Sequence, residues 1–264
     1  MPEGDSVYRA AAQLDEGLSG QVLTRSDFRV PSLATKDLTG ATVMETVPRG
    51  KHLLTRFDNG LTLHTHLKME GTWTVQRVGS RWRKPWHTAR VVLRSATTEA
   101  VGFQVLVDLV RTEQEDRFVG HLGPDLLGPD WDAALAVQNL RAVPETTIGD
   151  ALLDQRHLAG VGNVFKSEIC FLAGVAPQTP VGAVDNLEEV VAISKKQLED
   201  NKDRPFRWTT GDRRAGNRYW VYGRKGGCVR CGTQVRKADL GPPGQTRPTY
   251  WCPRCQPSPP RSAG

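Results

Sequence analysis

Two cysteine pairs near the C-terminus constrain this chain more than any other feature. Cys228 and Cys231 form one C-x-x-C, Cys252 and Cys255 a second, and twenty residues lie between them. Each pair lets two thiolates reach one ion from a tight knuckle, and the stretch between is long enough for a β-hairpin that joins the pairs. Four sulfurs complete the tetrahedral shell of Zn²⁺ and leave no open position, which implies one structural ion rather than a catalytic one. Two disulfides or a redox pair are the rival readings, and two matched pairs favour zinc. Arg230, Arg236, Lys237 and Arg254 lie close enough in sequence to offset the negative charge of four thiolates. Cys170 stands alone in an apolar stretch and reads as a small buried hydrophobe.

Charge is distributed unevenly. The net charge is +6 over 264 residues. Residues 200–264 carry fourteen Lys/Arg and four Asp/Glu, a surplus of ten, so the first 199 residues sum to −4. A basic C-terminal region on a slightly acidic remainder is the footprint of a polyanion-binding face. A merely solvated basic surface is the plainer reading. The interleaved aromatics Phe206, Trp208, Tyr219, Trp220, Tyr222, Tyr250 and Trp251 favour the first. The opening MPEGDSVYRAAAQLDEG lacks the charge and apolar core of a signal peptide. No apolar run approaches the ~20 residues of a membrane span, so the expected setting is the cytoplasm or nucleoid, without a membrane partner.

The hydrophobic pattern divides the chain. Asp5 or Ser6 is expected to cap a helix running to about Glu16. Alternating runs at 41–47, 52–57, 61–67, 71–78, 89–94 and 101–109 read as strands, with Asp58-Asn59-Gly60 as a hairpin turn. Gly123-Pro124 and Gly128-Pro129 punctuate a linker. Helical patterns follow at 132–140, 148–153, 163–172 and 185–198, then a polar stretch at 201–227 read as extended or loop. The expected class is α+β: a helix with a two-layer antiparallel β-sandwich in residues 1–125, a helical domain in 126–222, a zinc finger in 223–256 and a disordered tail in 257–264. Gly160 and Gly162 permit a tight turn, after which Asn163 opens a helix whose free N–H groups suit a phosphate. On those two glycines alone, a plain helical hairpin is the simpler account.

Taken together, the motifs resemble the formamidopyrimidine-DNA glycosylase / endonuclease VIII family, and its endonuclease VIII branch in particular. The resemblance rests on PEG at 2–4, RGKHLL at 49–54, HLKMEG at 66–71, LGPDLL at 122–127, LLDQRHLAGVGN at 152–163 and RPTYWCPRC at 247–255. It implies a helix–two-turn–helix domain in the second half, with damaged DNA lying in a cleft between the domains. It implies a bifunctional, monomeric repair enzyme that removes oxidised bases, pyrimidines favoured, and then cleaves the abasic strand by β,δ-elimination. The nucleophile would be the secondary amine of Pro2, freed by removal of Met1; an α-amine titrates near ~8, so a useful fraction is neutral. Attack on the sugar C1′ gives an iminium that acidifies the C2′ proton and expels the phosphates.

The same resemblance assigns the remaining candidates. Glu3 would assist base departure, though a helix-start acid is the plainer reading. Lys51 would lie near the sugar and phosphate, though it is one of 35 basic residues. Asn163 and Arg247 would grip DNA phosphates. Met69 would fill the gap left by the flipped nucleotide, or else be an ordinary core methionine. Glu168 matches a carboxylate of the DNA-binding region. Two departures stand out. The Arg-Phe pair of the purine-repair branch is not recognisable in the stretch from Asp108 to Glu113, which hints at activity on single strands or bubbles. Ser6 stands where many members carry Glu, leaving one active-site contact open. The alternative class is a non-catalytic nucleic-acid-binding protein with a zinc ribbon, which would not need Pro2, Glu3 and Lys51 together.

Overall fold

The computed structural model describes residues 2–212 and 216–257. Its elements run α1 (Gly4–Leu18), β1 (Arg25–Phe28), β2 (Val43–Arg49), β3 (His52–Phe57), β4 (Leu61–His66), β5 (Thr72–Arg77), β6 (Ala89–Arg94), β7 (Thr98–Phe103), β8 (Leu106–Arg111), α2 (Asp116–Val119), α3 (Ala133–Arg141), α4 (Ile148–Leu153), α5 (Asn163–Leu172), α6 (Leu187–Glu199), β9 (Arg236–Leu240) and β10 (Arg247–Trp251). Contacts divide them into two compact units, Met1–His121 and Leu122–Gly264.

The first unit is a sandwich of two antiparallel four-stranded sheets, ordered β1-β6-β7-β5 and β2-β3-β4-β8. Alternation sends Leu53, Phe57, Leu63, Leu93 and Ala100 into one core, where Leu14 and Leu18 of α1 join them. That core covers a strand missed by pattern, β1, whose short RSDF run has a single buried apolar residue, Phe28. The expected strand at 101–109 is two strands. Gln104, at φ 53°, breaks it and makes a two-residue turn with Val105. A non-glycine residue in the left-handed region is invisible to a hydrophobicity pattern.

Helix α1 begins earlier than expected. Glu3 is the N-cap, not Asp5 or Ser6, and the helix runs on to Leu18. Ser6 closes the start from within: its hydroxyl accepts the Glu3 N–H at 3.0 Å.

The outer face of the second sheet is polar but not wet. Alternation puts His52, Arg56, Thr62, His64, His66 and Asp108 on it, and residues 112–119 fold over part of it. Arg56 makes a two-pronged pair with Glu115, and Phe118 stacks on the His64 ring at 4.0 Å between centroids. His52 Nδ1 meets His64 Nε2 at 2.8 Å, and His64 Nδ1 meets Asp108 at 3.1 Å.

The second unit has its own core, built from α3 to α6 with Phe165, Ile169, Leu152 and Val190 at its centre. Asn186 rather than Asp185 caps α6. Residues 201–212 and 216–227 contain no helix or strand. Strands β9 and β10 form the hairpin between the cysteine pairs. Of the residues expected to form a tail, 258–264 lie outside the described residues. Gln256, by contrast, is buried, accepts the Cys252 N–H at 2.9 Å and donates to the Val175 carbonyl at 2.8 Å.

Burial holds the histidines of the polar face neutral. Desolvation, helped by the other histidines and Lys68, pushes His52 down to about 3. Desolvation with Lys68 and Lys51 pushes His66 down to about 4. A histidine depressed in the fold but ordinary in the unfolded chain binds its proton only after unfolding as pH falls. Stability should therefore be full above about pH 6.5 and decline from there toward pH 4. Urea midpoints measured from pH 8 to pH 4 should show this decline, and His52→Gln should flatten it. An unchanged slope in that variant would remove His52 from the account.

Candidate functional site

In the first unit, Pro2 and Met69 line one shallow depression of about 400 Å³, together with Ser6, Arg9 and Leu67. Pro2 immediately precedes the N-cap of α1, so the start of the helix fixes its place. Glu3 is fully buried beside it, at the positive end of the helix dipole. Lys51 is the second central residue of a two-residue hairpin between β2 and β3, closed by the Arg49–His52 pair. Gly50 supplies φ 59° at the first central position, as a type II′ turn demands. His52 pairs with His66 across the strands, and Lys51 is close enough to His66 to depress its basicity. His66 Nδ1 in turn accepts the Lys68 N–H at 2.9 Å, at the root of the loop that carries Met69.

That loop is tightly drawn. Lys68 has φ 51°, and Gly71 donates its N–H to the Leu67 carbonyl at 2.7 Å. A Cβ on Gly71 would lie 2.3 Å from the same oxygen, so only glycine fits. Met69 stands 59% exposed at the tip and is not a core residue. The stretch from Asp108 to Glu113, which holds no Arg-Phe pair, lies within β8 and the helical turn after it.

In the second unit, Asn163 and Arg247 come together although 84 residues separate them. Gly162 caps α5, and Asn163 is its first residue. The Asn163 amide donates to the Pro248 carbonyl at 2.8 Å, next to exposed Arg247 on β10. One turn on, buried Lys166 donates to the Thr249 hydroxyl at 2.6 Å. The side-chain amide oxygen of Asn163, Oδ1, is buried without a hydrogen-bond partner among the described residues.

Glu168 is fully buried, with its oxygens turned to the protein. It accepts N–H bonds from Trp220 at 2.7 Å, Val221 at 3.0 Å and Tyr222 at 2.8 Å, and a bond from the Thr209 hydroxyl. Burial pushes its carboxyl up from the ordinary range, and the four donors pull against that. Its bonds anchor Thr209 and residues 220–222, none of which lies in a helix or strand.

The four cysteines converge. Their sulfurs all lie within 4.8 Å of one another, with Cys231 and Cys252 at 3.5 Å and Cys228 and Cys255 at 4.0 Å. A disulfide needs about 2.05 Å. Four sulfurs ~2.3 Å from one tetrahedral ion would stand about 3.8 Å apart. The cluster fits an ion, and Cys170 is buried elsewhere.

Two features escaped the pattern reading. One is the His52–His64–Asp108 chain beside Lys51, signalled only by histidines at alternate positions of paired strands. The other is an acid-free basic run from Arg77 to Arg94, masked by the negative sum of the first 199 residues.

Residues 1–106 match the formamidopyrimidine-DNA glycosylase N-terminal domain, and residues 122–198 match the formamidopyrimidine-DNA glycosylase H2TH domain. The chain is 56% identical to a probable endonuclease 8 2 of Streptomyces coelicolor, over 100% of this chain and 97% of that one. It is 46% identical to the DNA-(apurinic or apyrimidinic site) lyase Nei2 of Mycolicibacterium smegmatis, over 97% and 99% of the two. In fold it is similar to Lactococcus lactis formamidopyrimidine-DNA glycosylase bound to abasic-site DNA, with TM-score 0.80, 23% identity, and 97% and 100% coverage. No described helix is long and apolar enough to cross a membrane. With both domains matched in order and relatives aligned end to end, the chain belongs to the formamidopyrimidine-DNA glycosylase family, on its endonuclease 8 side.

Proposed function

We propose that this protein is a DNA glycosylase and abasic-site lyase of base excision repair. The observation that carries the reading is the placement of Pro2 at the head of α1, in one depression with exposed Met69 and beside buried Glu3. With Met1 removed, the Pro2 nitrogen is a secondary amine. Its lone pair attacks C1′ of the damaged nucleotide, and the C1′–N bond to the base breaks with its electron pair leaving on the base. The amine then gives up its proton, and the C1′–O4′ bond breaks as O4′ takes up a proton, which leaves an open-chain iminium between C1′ and the Pro2 nitrogen. That iminium acidifies the C2′ proton, whose removal expels the 3′ phosphate; a second elimination expels the 5′ phosphate. Glu3, the next residue in the chain and fully buried at the helix start, is suited to carry protons for the amine. Lys51, on a two-residue turn with little freedom, serves the sugar and its phosphate.

The damaged nucleotide must leave the helix before this chemistry, at a cost of a few kcal/mol. Met69 is suited to occupy the space it vacates, being unbranched, apolar and exposed. Asn163 and Arg247 hold flanking phosphates, the second with a guanidinium free to present two donors. Oxidised pyrimidines are the favoured bases, as the resemblance of its motifs to the endonuclease VIII branch implies. The enzyme acts on chromosomal DNA in the cytoplasm, as a monomer.

The four cysteines hold one Zn²⁺. The ion, when bound, supplies cross-linking only, since four sulfurs fill its coordination shell. What the chain does with it is rigidify β9 and β10, and so fix Arg247 and the carbonyl that Asn163 grips.

Three outcomes are expected. Oligonucleotides carrying thymine glycol or an abasic site should form a covalent adduct with the enzyme when borohydride is added, and Pro2→Gly should lose most of it. An adduct with the abasic strand alone would leave a lyase without glycosylase activity, and no adduct at all would sink the reading. Metal analysis should find one zinc per chain, and its removal by a chelator should abolish incision until zinc is restored. Full incision by the metal-free protein would refute the structural role. Arg247→Ala should weaken binding to all sequences alike and lower the slope of log K against log salt by about 1. An unaltered slope would take Arg247 off the phosphates.

A further inference from the structure

The first unit carries a second surface that the lesion chemistry does not use. From Gly71 to Thr98 the sequence holds Arg77, Arg81, Arg83, Lys84, Arg90 and Arg94, and no acidic residue. Arg94 pairs with Glu99. Among the described residues, Arg77, Arg81, Arg83 and Lys84 have no ion-pair partner. In their midst Trp86 is 73% exposed, more than any other large hydrophobic described. An indole left in water is costly, and two tryptophans four residues apart are treated oppositely. Trp82 turns inward, where its Nε1 donates to Glu99 at 2.7 Å and its ring meets Phe103 edge-on at 5.7 Å.

The backbone that carries the exposed ring is held in place. Trp86 opens a helical turn closed by the Thr88 N–H and hydroxyl, both bonded to the Pro85 carbonyl, at 3.0 and 2.7 Å. Arg29 donates to the Trp86 carbonyl at 3.3 Å. The sheet register then fixes where this turn lies. Phe103 pairs with both Thr72 and Ala89, so the Met69 loop, the β7–β8 turn and the segment 86–88 all emerge at one end of the sheet. Gln104 ties them together: its N–H bonds to the Thr88 carbonyl at 2.8 Å, and its side-chain amide reaches Glu70 at 3.4 Å.

We propose that the β5–β6 crossover is a binding surface for unpaired DNA next to the lesion, with a base stacked on Trp86 and its phosphates on Arg83 and Lys84. This rests on the DNA-repair reading and extends it to the strand state of the substrate. A base offers its face only when it is unstacked, whereas an intact duplex offers phosphates and groove edges; an exposed indole on an anchored turn, flanked by unpaired cations, matches the former. A protein partner fits less well, because one indole in a basic, acid-free strip provides no apolar core for an interface.

The test uses the full-length, zinc-loaded protein and oligonucleotides carrying a tetrahydrofuran abasic analogue. The site is placed in a single strand, in a bubble and in a complete duplex, and binding is followed by fluorescence anisotropy. Trp86→Ala should weaken the single-strand and bubble complexes about tenfold or more, and change the duplex complex by less than about twofold. Trp86→Phe should retain most of the affinity. Arg83→Ser with Lys84→Ser should lower the single-strand salt slope by about 1.4. Equal loss on all three DNAs, or no loss on any, overturns the proposal. Borohydride trapping of the unaltered enzyme on duplex abasic DNA reports separately on the repair chemistry, so the two readings can fail independently.

Discussion

The first four N–H groups of a helix have no partner within it, and something outside must answer them. Both units of this chain place their chemistry where that demand arises. At the head of α1 the reply comes from Glu3 and Ser6, and Pro2 is positioned because it directly precedes them. At the head of α5 a glycine stands at the cap, and Asn163 is turned toward β10. One helix start fixes the place of Pro2, and the other sets Asn163 against the hairpin that carries Arg247.

Buried polar groups do the rest of the positioning, and they are strict because a missing partner costs more than a present one gains. Glu168 shows this most clearly. Its two oxygens meet three backbone N–H groups and a hydroxyl, and so fix Thr209 and the run from Trp220 to Tyr222 against α5. On the other unit, the chain from His52 through His64 to Asp108 ties the roots of β3 and β4 together beside Lys51. These groups organise a surface without reaching it.

Much of this was legible before any coordinates. Alternation and turn residues located most strands, helical periodicity located α3 to α6, and cysteine spacing located the cluster. The misses share a physical cause. Strand β1 is too short to show a period, and the break at Gln104 needs a left-handed backbone that no composition rule assigns to glutamine. The role of Glu168 depends on partners 41 to 54 residues away, which sequence proximity does not reveal. Met69 could not be assigned to core or surface by its type alone, since a methionine suits either; the drawn loop around Gly71 decides it. The basic run at 77–94 was hidden by summing charge over too long a window.

The bonds from Asn163 to Pro248 and from Lys166 to Thr249 each span more than eighty residues. They carry a consequence for synthesis. The sandwich has all its strands once residue 111 has emerged from the ribosome, and its core can close while translation continues. The helical core of α3 to α6 can close once residue 199 has emerged, but Asn163 and Lys166 on α5 must wait for β10 before they meet their partners there. A nascent chain therefore passes through a stage with both cores formed and the bond from Lys166 to Thr249 still to be made, and that stage is where chaperones and proteases have most to act on.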